Sequence, residues 1–155
     1  MKITFIGGGN MASALIGGLL NQGFPAIDIA VIEINEDNRA RLERGYGIRS
    51  YAAPEPAALR CDVVVLAVKP QQMREVALGI APFVAGRLVI SIAAGIRARD
   101  LSRWLGGHRR IVRCMPNTPA LIGAGITGLA AMPGLDAADR DAAQSVLAAV
   151  GETLW

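Results

Sequence analysis

A chain of 155 residues that is 52% hydrophobic and 19% charged has material for one well-buried core, and two domains would be a tight fit. The net charge of +3 comes from scattered arginines, densest at Arg109, Arg110 and Arg113, with no basic run or interleaved aromatics, so nucleic acid is excluded as the expected partner. Cys61 and Cys114 have no C-x-x-C spacing and no histidine neighbours, which points to buried reduced thiols and no metal site. The longest apolar runs are too short for a bilayer, and Met1-Lys2 leads straight into a strand instead of a leader, so the expectation is a soluble cytoplasmic protein with no membrane partner.

In chain order, Lys2 to Ile6 reads as a short apolar strand and Asn10 to Asn21 as a helix stopped at Gly23. A second strand follows at Ile29 to Ile32, then a charged, exposed helix from Glu36 to Arg44 that Gly45 should terminate. Pro54-Glu-Pro56 reads as a loop leading into a short helix. The uniformly apolar, β-branched run Val63 to Val68 has the character of a central parallel strand covered on both faces. Lys69-Pro70 breaks it, and Gln71 to Gly79 reads as the next helix.

Beyond it come a strand at Arg87 to Ile92, a helix at about Arg99 to Leu105, and strands at Arg110 to Cys114 and Ile126 to Ala131. A helix from Ala137 to Val150 and a last strand from Glu152 to Trp155 complete the pattern. Repeated β-α units of this size predict an α/β fold with a doubly wound, mostly parallel sheet of the Rossmann type, filling residues 1–155 as one dinucleotide-binding domain.

The strongest chemical signal is the string Ile6, Gly7, Gly8, Gly9, Asn10, Met11, Ala12, which satisfies G-x-G-x-x-G/A between a first strand and a first helix. Such a turn brings bare backbone and unpaired helix N–H groups against a diphosphate. Glu33 stands 24 residues after Gly9, at the end of strand two, where a carboxylate can accept from both adenosine ribose hydroxyls and would repel the extra phosphate of NADP. Two further loops lie at strand ends, Ala67, Val68, Lys69, Pro70 and Ser91, Ile92, Ala93, Ala94, Gly95. Their small residues allow a ring and its ribose to approach the backbone, and Lys69 is either a phosphate partner or a solvated lysine.

Met115-Pro116-Asn117-Thr118-Pro119 stiffens a loop whose Asn117 and Thr118 side chains could orient a carboxamide or carboxylate. His108 reads as an exposed loop residue and not a general acid. Asp136, Asp139 and Asp141 read as the acidic first turn of a helix.

Taken together, the glycine string, Ala67-Val68-Lys69-Pro70-Gln71, Ser91-Ile92-Ala93-Ala94-Gly95 and Cys114-Met115-Pro116-Asn117-Thr118-Pro119 resemble pyrroline-5-carboxylate reductase over the whole chain. The resemblance implies hydride transfer from NADP(H) or NAD(H) to the C=N carbon of 1-pyrroline-5-carboxylate, a small molecule, giving L-proline. It implies cofactor contacts from Ile6 to Met11, Glu33, Ala67 to Pro70 and Ile92 to Ala94, with Asn117 and Thr118 near nicotinamide and substrate. In that family a C-terminal helical domain supplies the dimer interface and most substrate contacts, so the present chain is expected to lack it, and a homo-oligomer is expected of the full-length enzyme. The family commonly uses NADPH with small polar or basic residues after strand two, whereas Glu33-Ile34-Asn35 tilts the preference toward NADH. Another imine or hydroxyacid reductase, or a non-catalytic dinucleotide sensor, stands as the alternative.

Overall fold

The structure, a computed structural model, describes all residues 1–155. Its strands are β1 (Ile3–Ile6), β2 (Ile29–Ile32), β3 (Arg49–Tyr51), β4 (Val63–Leu66), β5 (Leu88–Ser91), β6 (Ile111–Met115), β7 (Gly125–Ala131) and β8 (Gly151–Leu154). The helices are α1 (Asn10–Asn21), α2 (Glu36–Tyr46), α3 (Met73–Ile80), α4 (Ala98–Trp104) and α5 (Ala137–Leu147). One eight-stranded sheet runs in the order β3-β2-β1-β4-β5-β6-β7-β8, parallel throughout except where β7 runs antiparallel to β6. The chain therefore has the expected doubly wound α/β architecture, with the strand order turning back between β1 and β4.

Burial explains the composition of the central strands. Every residue of β1, β4 and β5 is buried, because both sheet faces are covered. One face carries a core of 22 buried residues in which Phe5, Val31, Val65 and Ile90 meet Leu15, Ile16 and Leu19 of α1, Leu42 of α2, and Val146 and Leu147 of α5. The opposite face carries 15, where Ile6, Val64, Leu66, Val89 and Ile111 pack against Met73, Ala77 and Ile80 of α3 and Leu101 of α4.

Several expectations are corrected. Strand β3 was not anticipated: it is three residues long, polar at Arg49 and Ser50, and lies at the sheet's edge, where pairing with β2 outweighs composition. Helix α2 runs past Gly45 to Tyr46 and closes on Gly47 at φ +68°, a left-handed position that suits glycine. Pro54-Glu-Pro56 leads only into turns, with no helix before β4. The link from β6 to β7 is a short 3₁₀ turn at Thr118–Ile122, too compact for a parallel crossover, so β7 returns antiparallel. The last helix gives way to a 3₁₀ turn at Ala148–Val150, and its final strand starts at Gly151.

Other outcomes concern side chains. Cys114 is buried, and burial pushes its thiol up to about 12, whereas Cys61 is only half-buried. His108 is half-buried instead of exposed; a ring nitrogen lies 2.8 Å from the Arg87 carbonyl, and burial lowers its pKa. Of the three aspartates, Asp136 caps α5 by accepting from the Asp139 amide at 2.8 Å. Asp139 is buried at 7% exposure and receives Arg110 through two hydrogen bonds, Nε at 3.1 Å and Nη2 at 2.6 Å.

This fork ties the start of β6 to α5, and holding it together matters because the buried carboxylate has no comparable cation elsewhere. Replacing Arg110 with Met strands that carboxylate. The expected loss in a urea titration is about 2 kcal/mol, the range of a half-exposed charge-assisted pair.

Candidate functional site

Because β1, β2, β4, β5 and β6 are parallel, their C-terminal ends open on one edge, and every residue singled out from sequence for ligand contact lies along it. Hydrogen bonds beyond the strand ends keep the loops there in register. Gly7 N–H donates to Ile32 O at 2.8 Å, Ala67 N–H to Ile6 O at 2.8 Å and Ile92 N–H to Leu66 O at 3.2 Å. The glycine loop, the Ala67–Pro70 loop and the Ile92–Ala94 loop thus sit side by side across β1, β4 and β5.

The three glycines are not equivalent. Gly7 has φ +95°, and a Cβ there would stand 2.6 Å from Ala67 O and 3.1 Å from Val68 Cγ1, so only glycine lets the first and fourth strands stay this close. Gly8 is buried, and its N–H donates to Glu33 Oε1 at 3.1 Å. Gly9 is exposed with ordinary backbone angles, and a Cβ there would meet no atom within 4 Å. The backbone at Gly9 is therefore open to approach from outside.

Helix α1 begins at that point without a side-chain cap and without an acidic residue in its first turn. By contrast, Asn35 caps α2 and Asp136 caps α5, and the uncapped α3 and α4 carry Glu75 and Asp100 in their first turns. Uncapped N–H groups on a twelve-residue helix, facing open volume at Gly9, keep their hydrogen-bonding capacity and positive dipole for an anion. The residues therefore fit a dinucleotide diphosphate on the chain's own geometry.

Glu33 turns back toward the protein. Its Oε1 accepts from Gly8 N–H and, at 3.4 Å, from Asn38 Nδ2, and its Oε2 accepts from Asn35 N–H at 3.1 Å. The carboxylate thereby fastens the glycine loop to the turn after β2. Two cations that the sequence reading passed over bond backbone carbonyls beside it. Arg39 Nη1 donates to Glu33 O at 2.8 Å and Ile34 O at 3.0 Å, and Arg41 Nη2 donates to Gly8 O at 3.3 Å. Their signal was position alone, since both lie on the first turns of α2, six and eight residues after Glu33, within a helix that otherwise reads as solvated surface.

Toward the other half of the edge, Ala93 is buried and Ala94 exposed, and the Ala93 amide donates weakly to Ser91 Oγ at 3.4 Å. Lys69 and Pro70 are exposed beyond β4. Asn117 and Thr118 are exposed at the end of β6, but the Asn117 side chain already has work there. Its Oδ1 accepts from Ile126 N–H at 2.9 Å and pins the loop to β7, leaving its amide N–H groups as the donors available to a ligand.

No group of three or more His, Cys, Asp or Glu side chains gathers in metal-binding geometry, and no helix is long and apolar enough to cross a membrane. Residues 2–95 match the family described as NADP oxidoreductase, coenzyme F420-dependent. The chain is 45% identical to a pyrroline-5-carboxylate reductase of Pseudomonas aeruginosa and 46% identical to that of Haemophilus influenzae, each match covering 99% of this chain. It spans 57% and 56% of the length of those two relatives.

Among solved structures, a pyrroline-5-carboxylate reductase from Coxiella burnetii superposes with a TM-score of 0.94 at 39% identity, covering 99% of this chain and 58% of that one. The enzyme of Plasmodium falciparum, solved with NADP bound, gives 0.85 at 26%, covering 99% and 56%. With this fold, this glycine loop and a match over well more than half its length, the chain belongs to the family described as NADP oxidoreductase, coenzyme F420-dependent.

Proposed function

We propose that residues 1–155 are the cofactor-holding domain of a pyrroline-5-carboxylate reductase, which reduces the C=N carbon of 1-pyrroline-5-carboxylate to give L-proline. The observation that carries this reading is the uncapped start of α1 behind the open volume at Gly9, together with sequence similarity that runs through all four edge loops. A reduced nicotinamide dinucleotide, NADPH or NADH, supplies the hydride. Gly9, Asn10 and Met11 hold the diphosphate through backbone N–H groups, and the Ile6–Gly7 turn sets their height against β4. Glu33, Arg39 and Arg41 border the adenosine ribose. Ala67 to Pro70 and Ile92 to Ala94 give the nicotinamide half a close, flat backbone, and Asn117 and Thr118 present donors beside it.

Protonation makes an imine carbon more electrophilic, so the chain's task is alignment and exclusion of water more than acid catalysis. The reading assigns most contacts to the substrate carboxylate, and the homo-oligomer interface, to a helical domain outside these 155 residues, and it places the enzyme in the cytoplasm. On this account the 155-residue protein binds dinucleotide and turns over poorly. Extending it after Trp155 with the remaining 43% of the Pseudomonas relative should restore 1-pyrroline-5-carboxylate-dependent oxidation of NADPH. A well-folded fusion that binds NADPH yet ignores 1-pyrroline-5-carboxylate would refute the substrate assignment.

Cofactor preference turns on a balance of charges. Glu33 repels a ribose 2′-phosphate, while Arg39 and Arg41 attract it from the same neighbourhood. Glu33→Ser leaves the two guanidinium groups unopposed, and is expected to raise NADPH affinity relative to NADH by about tenfold, the effect of one charge at effective dielectric near a protein surface. Fluorescence titration of both cofactors reads it, and an unchanged ratio removes Glu33 from selectivity.

A further inference from the structure

Strand β6 alternates between the two sheet faces. Val112 and Cys114 enter the larger core, whereas Ile111, Arg113 and Met115 point to the face that α3 and α4 cover. Across that face, the row of register partners at the C-terminal end runs Leu66, Ser91, Arg113, Ala130. Leu66 and Ser91 are buried, and Ala130 is exposed. Arg113 thus stands where helical cover stops.

Beyond it the sheet is bare on this side. Residues Ile126, Gly128 and Ala130 of β7 and Glu152 and Leu154 of β8 are all exposed, while the alternate residues Thr127 and Leu129 are buried beneath α5 on the other side. Met115, Ile126 and Leu154 are 51%, 55% and 68% exposed, an unusual density of large apolar side chains for one sheet face.

The guanidinium at the border of this patch has no counterpart. Arg113 Nε is buried and meets no acceptor, and the ion pairs Arg103–Asp100 and Arg110–Asp139 lie elsewhere. A buried, charged N–H without an acceptor loses its hydration with nothing in return, a condition native folds rarely leave standing. The arrangement of a sealed Nε beside an apolar strip fits one kind of occupant: an apolar polypeptide segment carrying an aspartate or glutamate, able to accept from the guanidinium fork while covering Met115, Ile126 and Leu154.

We propose that the bare β6-β7-β8 face is a docking surface, that Arg113 is its ionic anchor, and that the occupant is a carboxylate-bearing apolar segment from the 43% of the pyrroline-5-carboxylate reductases' length that these residues do not span. The choice of occupant rests on the functional reading above; the need for a carboxylate rests on Arg113 alone.

The test is a sign reversal. In the 155-residue protein, Arg113→Met should leave the Tm unchanged or raise it, since a sealed N–H without an acceptor gives way to an apolar chain of similar length. In the fusion carrying the remainder of the Pseudomonas relative, the same change should lower the Tm by about 6 °C or more, because it strands a carboxylate instead, and Arg113→Lys should recover only part of the loss. An equal loss in the 155-residue protein would show that the guanidinium already has a partner, and no loss in the fusion would show that it never gains one. Either result overturns the proposal, as does a wild-type fusion no more stable than the 155-residue protein. Stabilisation of the 155-residue protein by sodium acetate, abolished by Arg113→Met, would overturn it in favour of a free carboxylate ligand. NADPH titration of the same samples keeps the two readings apart, since lost dinucleotide binding would sink the functional assignment and leave the Tm comparison standing.

Discussion

Gly9→Val is expected to weaken NADPH binding by about 100-fold or more while leaving the thermal unfolding transition of the unliganded protein in place. The reason is the asymmetry between the protein's needs and the ligand's. A Cβ at Gly9 meets no atom within 4 Å, and the residue's φ of −78° is open to any side chain, so the fold resists the change only through a poorer N-cap for α1, a modest cost. The added isopropyl group fills the one volume through which a diphosphate can reach the first N–H groups of α1. Losing two or three charge-assisted hydrogen bonds at a helix N-terminus is worth about 3 kcal/mol, which corresponds to that factor. Binding that survives intact, with the fold intact, would place the ligand elsewhere.

Gly7→Ala should behave in the opposite way, with the damage falling on the fold. Its φ of +95° is a conformation that L side chains rarely adopt, and the new methyl group would press on the Ala67 carbonyl at 2.6 Å. That carbonyl belongs to backbone at the end of a central buried strand and cannot swing aside as a flexible side chain would. The expected loss is about 3–5 kcal/mol, from backbone strain combined with overpacking, or a Tm lower by roughly 10 °C for a chain of this size. Calorimetry of the unliganded protein measures it. The neighbouring glycines would then be separated by role, one required by the fold and the other by the ligand.

Much of this was legible from residue patterns, and the exceptions share a cause. Helix α1 and strand β2 fall on the residues their apolar spacing indicated, because burial of one face or both imposes the period. Strand β3 escaped notice because three residues at a sheet edge bury too little to leave a pattern, and the reversal of β7 depends on how tightly residues 118–122 coil, a tertiary matter. At the ligand edge, the glycine motif announces itself through a backbone requirement that few residue types can meet. Arg39 and Arg41 do not, because a guanidinium on a charged helix looks the same whether it faces water or the Gly8 and Glu33 carbonyls. Asn117 was singled out for its amide, yet one end of that amide serves the loop itself. The anchor role of Arg113 was likewise hidden, since only the packed sheet shows that its Nε is sealed.

The most direct check is on the backbone amides where α1 starts. With ¹⁵N-labelled protein, NADPH should shift the amide resonances of Gly9, Asn10 and Met11 together and more strongly than any others, with the same saturation curve for all three. Saturable binding that leaves those three signals where they were would contradict the account at its root, since α1 alone of the five helices has neither a side-chain cap nor an acidic residue in its first turn.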